Sequence, residues 1–252
     1  MKVSVKTIGG GTFSKFMVAV DAVIRQIPNV EDIDSLYIDI DRDRIDKTRQ
    51  MNLNLNPFDF VLEQSDDNIT RTVKPLNNYI NYTNILENPN YKKLSTVCSK
   101  LKIKDVVLDR IDNSITEDTL GVHVRITDMN LMHPEYGKPS TKDYIKKINE
   151  LTNEKKFKNI FVASDNKKSI ELIGNDFDIL FNNVNNRSKH EHGGLNHTTY
   201  LRRQSGESQF WIDSFVEMIS LSRCGELLYK MSSLNSASVL FSNTIKKTYR
   251  II

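Results

Sequence analysis

The sequence predicts an α/β protein built from two successive strand–helix halves, and three observations carry that reading. Short apolar runs with strand-like alternation are followed by stretches whose apolar residues recur at three- and four-residue spacing. A glycine-rich turn, Gly9-Gly10-Gly11-Thr12, lies between the first strand and the first helix, which is how a Rossmann-like unit opens. A weakly patterned charged segment, Arg110 to Thr119, divides residues 1–112 from residues 113–252, and the second part repeats the rhythm of the first.

In the first half, Val3 to Ile8 alternates as a strand, and Phe13, Phe16, Met17, Val20, Val23, Ile24 and Ile27 mark one face of a helix that Pro28 ends. Ser35 to Ile40 reads as a second strand. Asn56-Pro57-Phe58-Asp59-Phe60 combines a turn with aromatics and reads as a connection packed on this half. From Ser65 to Asn90 the chain is polar and Asn-rich with Pro75 and Pro89, which predicts irregular surface structure. A helical stretch near Tyr91 to Lys102 and an apolar patch, Val106-Val107-Leu108, complete the half.

The second half begins with the most informative stretch. Leu120 to Ile126 reads as a buried strand that ends in polar chemistry, with His123, Arg125, Thr127 and Asp128 within six residues. In an open parallel sheet ligands bind outside the carboxyl ends of the strands, so these side chains belong to a crevice. A guanidinium is a planar, permanent cation that matches phosphate oxygens, and a nearby carboxylate can orient it. The competing reading, with equal weight, is a His and an Arg satisfied by each other and by water. A loop from Met129 to Pro139 carries His133 and Glu135, and Ser140 to Asp143 then opens a helix with Tyr144, Ile145, Ile148 and Leu151 on one face. Phe157 to Ala163 reads as a buried strand ending in Ser164-Asp165-Asn166, a cap for the helix toward Ile173, and Phe177 to Phe181 as another strand. Ser208 to Arg223 reads as an amphipathic helix, with Phe210, Trp211, Phe215, Met218, Ile219 and Ser222 on one side and Asp213, Glu217 and Arg223 elsewhere. Leu227-Leu228-Tyr229 is a short strand that leads through Ser232-Ser233 into a helix near Asn235 to Leu240. Two hydroxyls at the positive end of a helix dipole make a second anion site, or simply cap the helix.

Composition sets limits. The chain has 252 residues, 27% charged and 38% hydrophobic, enough for a real core and for two domains. A net charge of +3 favours anionic ligands slightly but falls short of a nucleic-acid-binding balance. No run approaches the roughly 18 to 20 apolar residues of a membrane span, the first residues lack the apolar region of a signal peptide, and Cys98 and Cys224 have no metal-ligand spacing. The expectation is a cytoplasmic protein with ordinary thiols. Asp39 and Asp41 allow a divalent-metal reading and His190, His192 and His197 a zinc reading; self-neutralising neighbours and irregular spacing favour solvated surface in both cases.

Several of these segments together resemble one family. His123-Val124-Arg125-Ile126-Thr127-Asp128 is similar to the His-x-Arg-Arg-x-Asp signature of the inverting GDP-fucose-dependent fucosyltransferases, notably the α-1,6 and nodulation enzymes. Phe161-Val162-Ala163-Ser164-Asp165 resembles their next strand with its Ser-Asp end, and Gly194-Leu195-Asn196-His197 their Gly-Leu-His segment. Phe215 to Cys224, followed without a gap by Leu227 and Ser232-Ser233, resembles the helix and Ser-Ser turn of their third motif. Gly9-Gly10-Gly11 and the Asn56 to Phe60 segment resemble the family's N-terminal glycine loop and Asn-Pro-aromatic-Asp segment.

The resemblance implies a GT-B-like fold, two Rossmann-like domains facing a central cleft, with residues 1–112 on the acceptor side and 113–252 holding the nucleotide sugar. It implies transfer of L-fucose from GDP-fucose to a glycan hydroxyl with inversion, with no metal or other cofactor, no nucleic-acid partner and no membrane span. Residue by residue, it implies Arg125 on the β-phosphate, Ser232 and Ser233 on the diphosphate, His123 near the nucleoside and Glu217 on guanine, with Asp128, Asp165 and Gly194 completing the donor pocket. The family's second Arg is Ile126 here, and a neighbouring Lys position is Met129. The family's base, a Glu ten residues after the His, falls on His133, or on Glu135 if two residues are inserted. A nucleotide-sugar- or glycan-binding protein without turnover, or a transferase using another GDP-sugar, is the alternative.

Overall fold

In the computed structural model the described residues are 1–7, 12–40, 56–74, 85–126, 138–184, 187 and 207–251. The first half opens with β1 (Lys2–Thr7), α1 (Thr12–Gln26) and β2 (Ser35–Ile40). After a 3-10 turn at Pro57–Phe60 come β3 (Leu62–Glu63), β4 (Arg71–Val73), α2 (Tyr91–Ser99), β5 (Lys102–Ile103) and the short α3 (Asp105–Leu108). The second half runs β6 (Thr119–Val124), α4 (Thr141–Glu154), β7 (Asn159–Ser164), α5 (Lys167–Asp176) and β8 (Ile179–Leu180). It ends with α6 (Glu207–Ser222), β9 (Glu226–Tyr229), α7 (Ser233–Phe241) and β10 (Lys247–Arg250).

Among the described residues there are two parallel sheets, ordered β2-β1-β4 and β10-β9-β6-β7-β8, and an antiparallel pair β3-β5. The chain order of the second sheet reverses between β6 and β9, the strand arrangement of a doubly wound fold, so the crossovers after these two neighbours depart to opposite faces. Val122, Val124, Tyr144, Ile148 and Leu151 form one core layer under α4. Phe161, Leu227, Trp211, Phe215 and Leu240 belong to the other. That second layer is continuous with the first half: Phe58 meets Trp211 edge-on at 5.1 Å between ring centroids, Phe13 lies 5.2 Å from Phe215, and Phe16 stacks on Phe241 at 5.4 Å. Two parallel α/β units joined through such a layer constitute the GT-B-like architecture.

Most elements have local causes. Ser140 and Asp143 form a reciprocal capping box at the start of α4, and Asn166 caps α5 by accepting from the Ser169 amide at 3.0 Å. Where the structure departs from the sequence reading, tertiary contacts are the reason. The polar stretch from Ser65 is not wholly irregular, because Arg71–Val73 pairs in parallel with β1, anchored by Thr70 exchanging hydrogen bonds with the Lys2 backbone. β10 forms by pairing with β9. The strand expected at Phe177 to Phe181 shrinks to Ile179–Leu180, with Phe181 53% exposed. The helix expected to be amphipathic is buried on nearly all sides, since α6 lies between the second sheet and the first half. Its Asp213 is fully buried, bonded by Arg110 at 2.8 Å and by Gln209 at 2.6 Å. No helix among the described residues is long and apolar enough to cross a membrane, and both cysteines are buried free thiols.

Two glycines measure how tightly the second sheet is assembled. Gly225 donates to the Thr119 carbonyl and accepts from the Lys246 amide, and a Cβ there would lie 1.9 Å from the Glu117 carbonyl oxygen. Gly174, inside α5, would meet Ile179 at an ordinary 3.5 Å. In urea unfolding, Gly225→Ala is expected to lose more than about 3 kcal/mol through the backbone displacement it forces. Gly174→Ala is expected to gain about 0.5–1 kcal/mol from helix propensity.

Candidate nucleotide-binding site

The site grows out of the reversal between β6 and β9. The two strands run parallel with His123 opposite Tyr229, so Arg125, two residues on, and Ser232, three residues on from Tyr229, leave the sheet at the same edge. His123 is 3% exposed, its Nδ1 is buried without a hydrogen-bond partner, and its ring faces Asn235 near the start of α7. Burial, reinforced by the Arg125 charge, pushes its imidazole down to about 3. The ring is therefore neutral at physiological pH, a hydrogen-bonding group rather than a proton carrier.

Arg125 directs its Nε to Asp165 Oδ2 at 3.4 Å, with the arginine side chain 29% exposed and the aspartate 6%. Asp165 follows Ser164, whose register partner is Val124, so the ion pair spans the ends of adjacent strands. From α4, the buried Tyr144 hydroxyl faces the backbone of Arg125 and of Lys230 without a formed hydrogen bond, and burial pushes its phenol up. Ser232 caps α7, its Oγ accepting from the Asn235 amide at 3.4 Å, and Ser233 is the first helical residue. An accepting hydroxyl keeps its own proton to donate, so capping and anion binding are compatible here. Asn235 donates Nδ2 to the Lys230 carbonyl at 2.6 Å, which fixes the turn between strand and helix.

Glu217 lies on α6, 5% exposed, and its Oε1 accepts from Arg187 Nη2 at 3.0 Å. Arg187 also donates Nε to the Ser164 carbonyl at 3.3 Å, and its guanidinium sits 5.8 Å from the centre of the Phe181 ring. Burial pushes the Glu217 carboxyl up to about 7, against the lowering effect of Arg187.

Of the residues singled out in the sequence, the structure thus brings His123, Arg125, Asp165, Ser232 and Ser233 to the carboxyl edge of one sheet, with Glu217 tied to that edge through Arg187 and Ser164. Asp128, His133, Glu135 and Gly194 lie outside the described residues, as do the glycine turn at 9–11, Thr127, Met129, Asp41, His190, His192 and His197. Asp39 is the penultimate residue of β2, in the other sheet, and among the described residues no group of three His, Cys, Asp or Glu is placed to hold a metal ion. Ile126 is a core residue, 6% exposed in the layer under α4. Arg187 went unnoticed in the sequence, and Tyr144 and Asn235 were read there only as helix residues. The signal for Arg187 was indirect: an acid buried in a helix needs a cation, and none lies one turn away on α6.

No family model matches the chain, and no curated protein matches it. Solved structures do. The fucosyltransferase NodZ from Bradyrhizobium superposes with a TM-score of 0.53 at 12% identity over 96% of this chain and 92% of that one. NodZ α-1,6-fucosyltransferase soaked with GDP-fucose gives 0.52 at the same identity and coverage, and the enzyme co-crystallised with GDP gives 0.51. At that identity the likeness establishes the fold.

Glu217 links the site to stability. Its folded carboxyl holds a proton up to about pH 7, above its ordinary value of 4.5, so the folded state binds more protons than the unfolded state between those limits. Its contribution is therefore fully present below pH 4.5 and is lost as pH rises through 7, a change of about 3 kcal/mol. Comparing urea unfolding of wild type and Glu217→Gln across pH 4 to 8 is expected to show this decline in the wild type only.

Proposed function

We propose that this protein is a glycosyltransferase that moves L-fucose from GDP-fucose to a glycan hydroxyl, with inversion and without a metal ion. The observation that carries the reading is that Arg125 and the Ser232-Ser233 helix start follow neighbouring parallel strands and leave the second sheet at the same edge, where its order reverses. An inverting transfer builds negative charge on the departing diphosphate. Without a divalent ion, a guanidinium and helix-terminal N–H groups must meet that charge. Arg125 is held by Asp165 with 29% of its side chain exposed, and the N–H groups of the first turn of α7 start from the same sheet edge.

In this reading His123, as a neutral imidazole, contacts the nucleoside, Glu217 contacts the base, and Asp128 and Gly194 complete the pocket. Residues 113–252 form the donor-binding domain and residues 1–112 the acceptor side, in a cytoplasmic enzyme. Glu135, with His133 as its rival, takes the proton from the acceptor hydroxyl as the sugar arrives. The neutral, buried His123 does not fit that task.

One observation favours a second reading. Ile126, where the family signature has its second Arg, is committed to the core and cannot reach a ligand. A nucleotide-sugar- or glycan-binding protein without turnover keeps Arg125 and the helix start but needs no second cation, and use of another GDP-sugar also stays within reach.

The deciding measurement is GDP release from GDP-fucose over a panel of glycan acceptors, alongside thermal shifts with GDP, UDP, ADP and dTDP. The expected outcome is stabilisation by GDP above the other nucleotides and turnover that EDTA leaves intact; GDP binding with no turnover across the panel favours the second reading. Arg125→Ala is expected to fold normally and lose about 2 to 4 kcal/mol of transition-state stabilisation. Full activity in that variant would remove the site.

A further inference from the structure

We propose that Arg187 is a positioning residue that holds the Glu217 carboxylate as a fixed acceptor pair for the base of the donor nucleotide. The inference rests on the reading of Glu217 as the base-contacting group.

Arg187 lies in an Asn-rich segment, and its side chain is only 9% exposed. Its fork is committed at both ends: Nη2 holds Glu217 Oε1 at 3.0 Å and Nε holds the Ser164 carbonyl at 3.3 Å. Ser164 closes β7, directly before the Asp165 that orients Arg125. Arg187 therefore ties an acid on α6 to the strand end that carries the phosphate-facing pair. A guanidinium that holds two separate acceptors through its planar fork fixes direction as well as charge. Among the described residues Glu217 Oε2 has no hydrogen-bond partner, and a carboxylate has about four lone-pair sites, so one contact to Arg187 leaves room for a ligand.

Guanine presents two adjacent donors on one edge, N1–H and the exocyclic amine. An ionised carboxylate accepts both; a protonated one offers a donor where an acceptor is needed. The charges facing Glu217 decide which form is present. Asp165 from the end of β7 and Asp213 one turn earlier on α6 both disfavour ionisation, and burial opposes it most. Asp165 is offset by Arg125 and Asp213 by Arg110, which leaves Arg187 as the cation in direct contact with Glu217. Removing it would leave a buried acid facing, among the described residues, Asp165 and Asp213, which both favour its neutral form.

The test measures dissociation constants of GDP and of IDP, which lacks the exocyclic amine, by calorimetry from pH 6 to 8.5. It compares wild type, Arg187→Lys and Arg187→Ala. Wild type is expected to prefer GDP over IDP by about tenfold or more at pH 8, with that preference fading as pH falls through about 7. Arg187→Ala is expected to lose the preference even at pH 8, and Arg187→Lys to restore it with a displaced midpoint. A folded Arg187→Ala protein with wild-type preference and pH profile overturns the proposal and leaves the role of Glu217 standing. A wild-type protein indifferent to the exocyclic amine at every pH refutes that role and this proposal with it. If Arg187→Ala does not fold, Arg187→Lys decides, since an unchanged midpoint and preference there rejects the positioning role.

Discussion

The molecule is organised by the parting of two parallel strands. β6 and β9 lie side by side in register, and each must be followed by a helix on one face of the sheet. Because the sheet continues through β7 and β8 on one side and β10 on the other, the chain leaves β6 toward the α4 face and β9 toward the α7 face. The polar groups that follow the two strands, Arg125 and Ser232, leave the sheet at the edge between them. The nucleotide-binding reading inherits its geometry from this topology: a cation at one strand end, helix-terminal donors at the next, and a neutral imidazole behind both.

A second constraint is the burial of α6. Inserted between the second sheet and the first half of the chain, it carries Asp213 and Glu217 into surroundings that disfavour charge. Each acid is met by an arginine from outside the helix, Arg110 from the segment between the halves and Arg187 from beyond β8. Such pairs add little net stability because desolvation offsets their attraction, but leaving one partner unmatched is strongly unfavourable. Their effect is to specify arrangement. Arg110 pins the inter-half segment to α6 through Asp213, and Arg187 pins the strand end at Ser164 to the same helix through Glu217. The aromatic contacts of Trp211 and Phe215 with Phe58 and Phe13 then set the two halves together across that helix.

Much of this was legible in the residues because local rules act on local sequence. The apolar spacing of α1, the Ser140–Asp143 capping box, the cap at Asn166 and the buried run of β6 depend on neighbours within a few positions, and the structure has each where the pattern puts it. β4 and β10 were hidden because a three- or four-residue strand in a polar context has no pattern of its own, and both form by docking on an existing sheet edge. α6 was misread for a related reason: two acids in a helix normally mark its solvent face, and only the distant arginines make their burial tolerable.

The sequence by itself determined the alternation of strands and helices, the polar ends of β6 and β7, and the hydroxyls before α7, since periodicity, capping and turn chemistry are written in contiguous residues. Only the tertiary structure decided that β9 lies against β6, that Arg125 meets Asp165, and that Arg187 meets Glu217. Pairings between residues 30 to 106 positions apart depend on which faces pack and which charges are excluded from water together, and no local pattern records that.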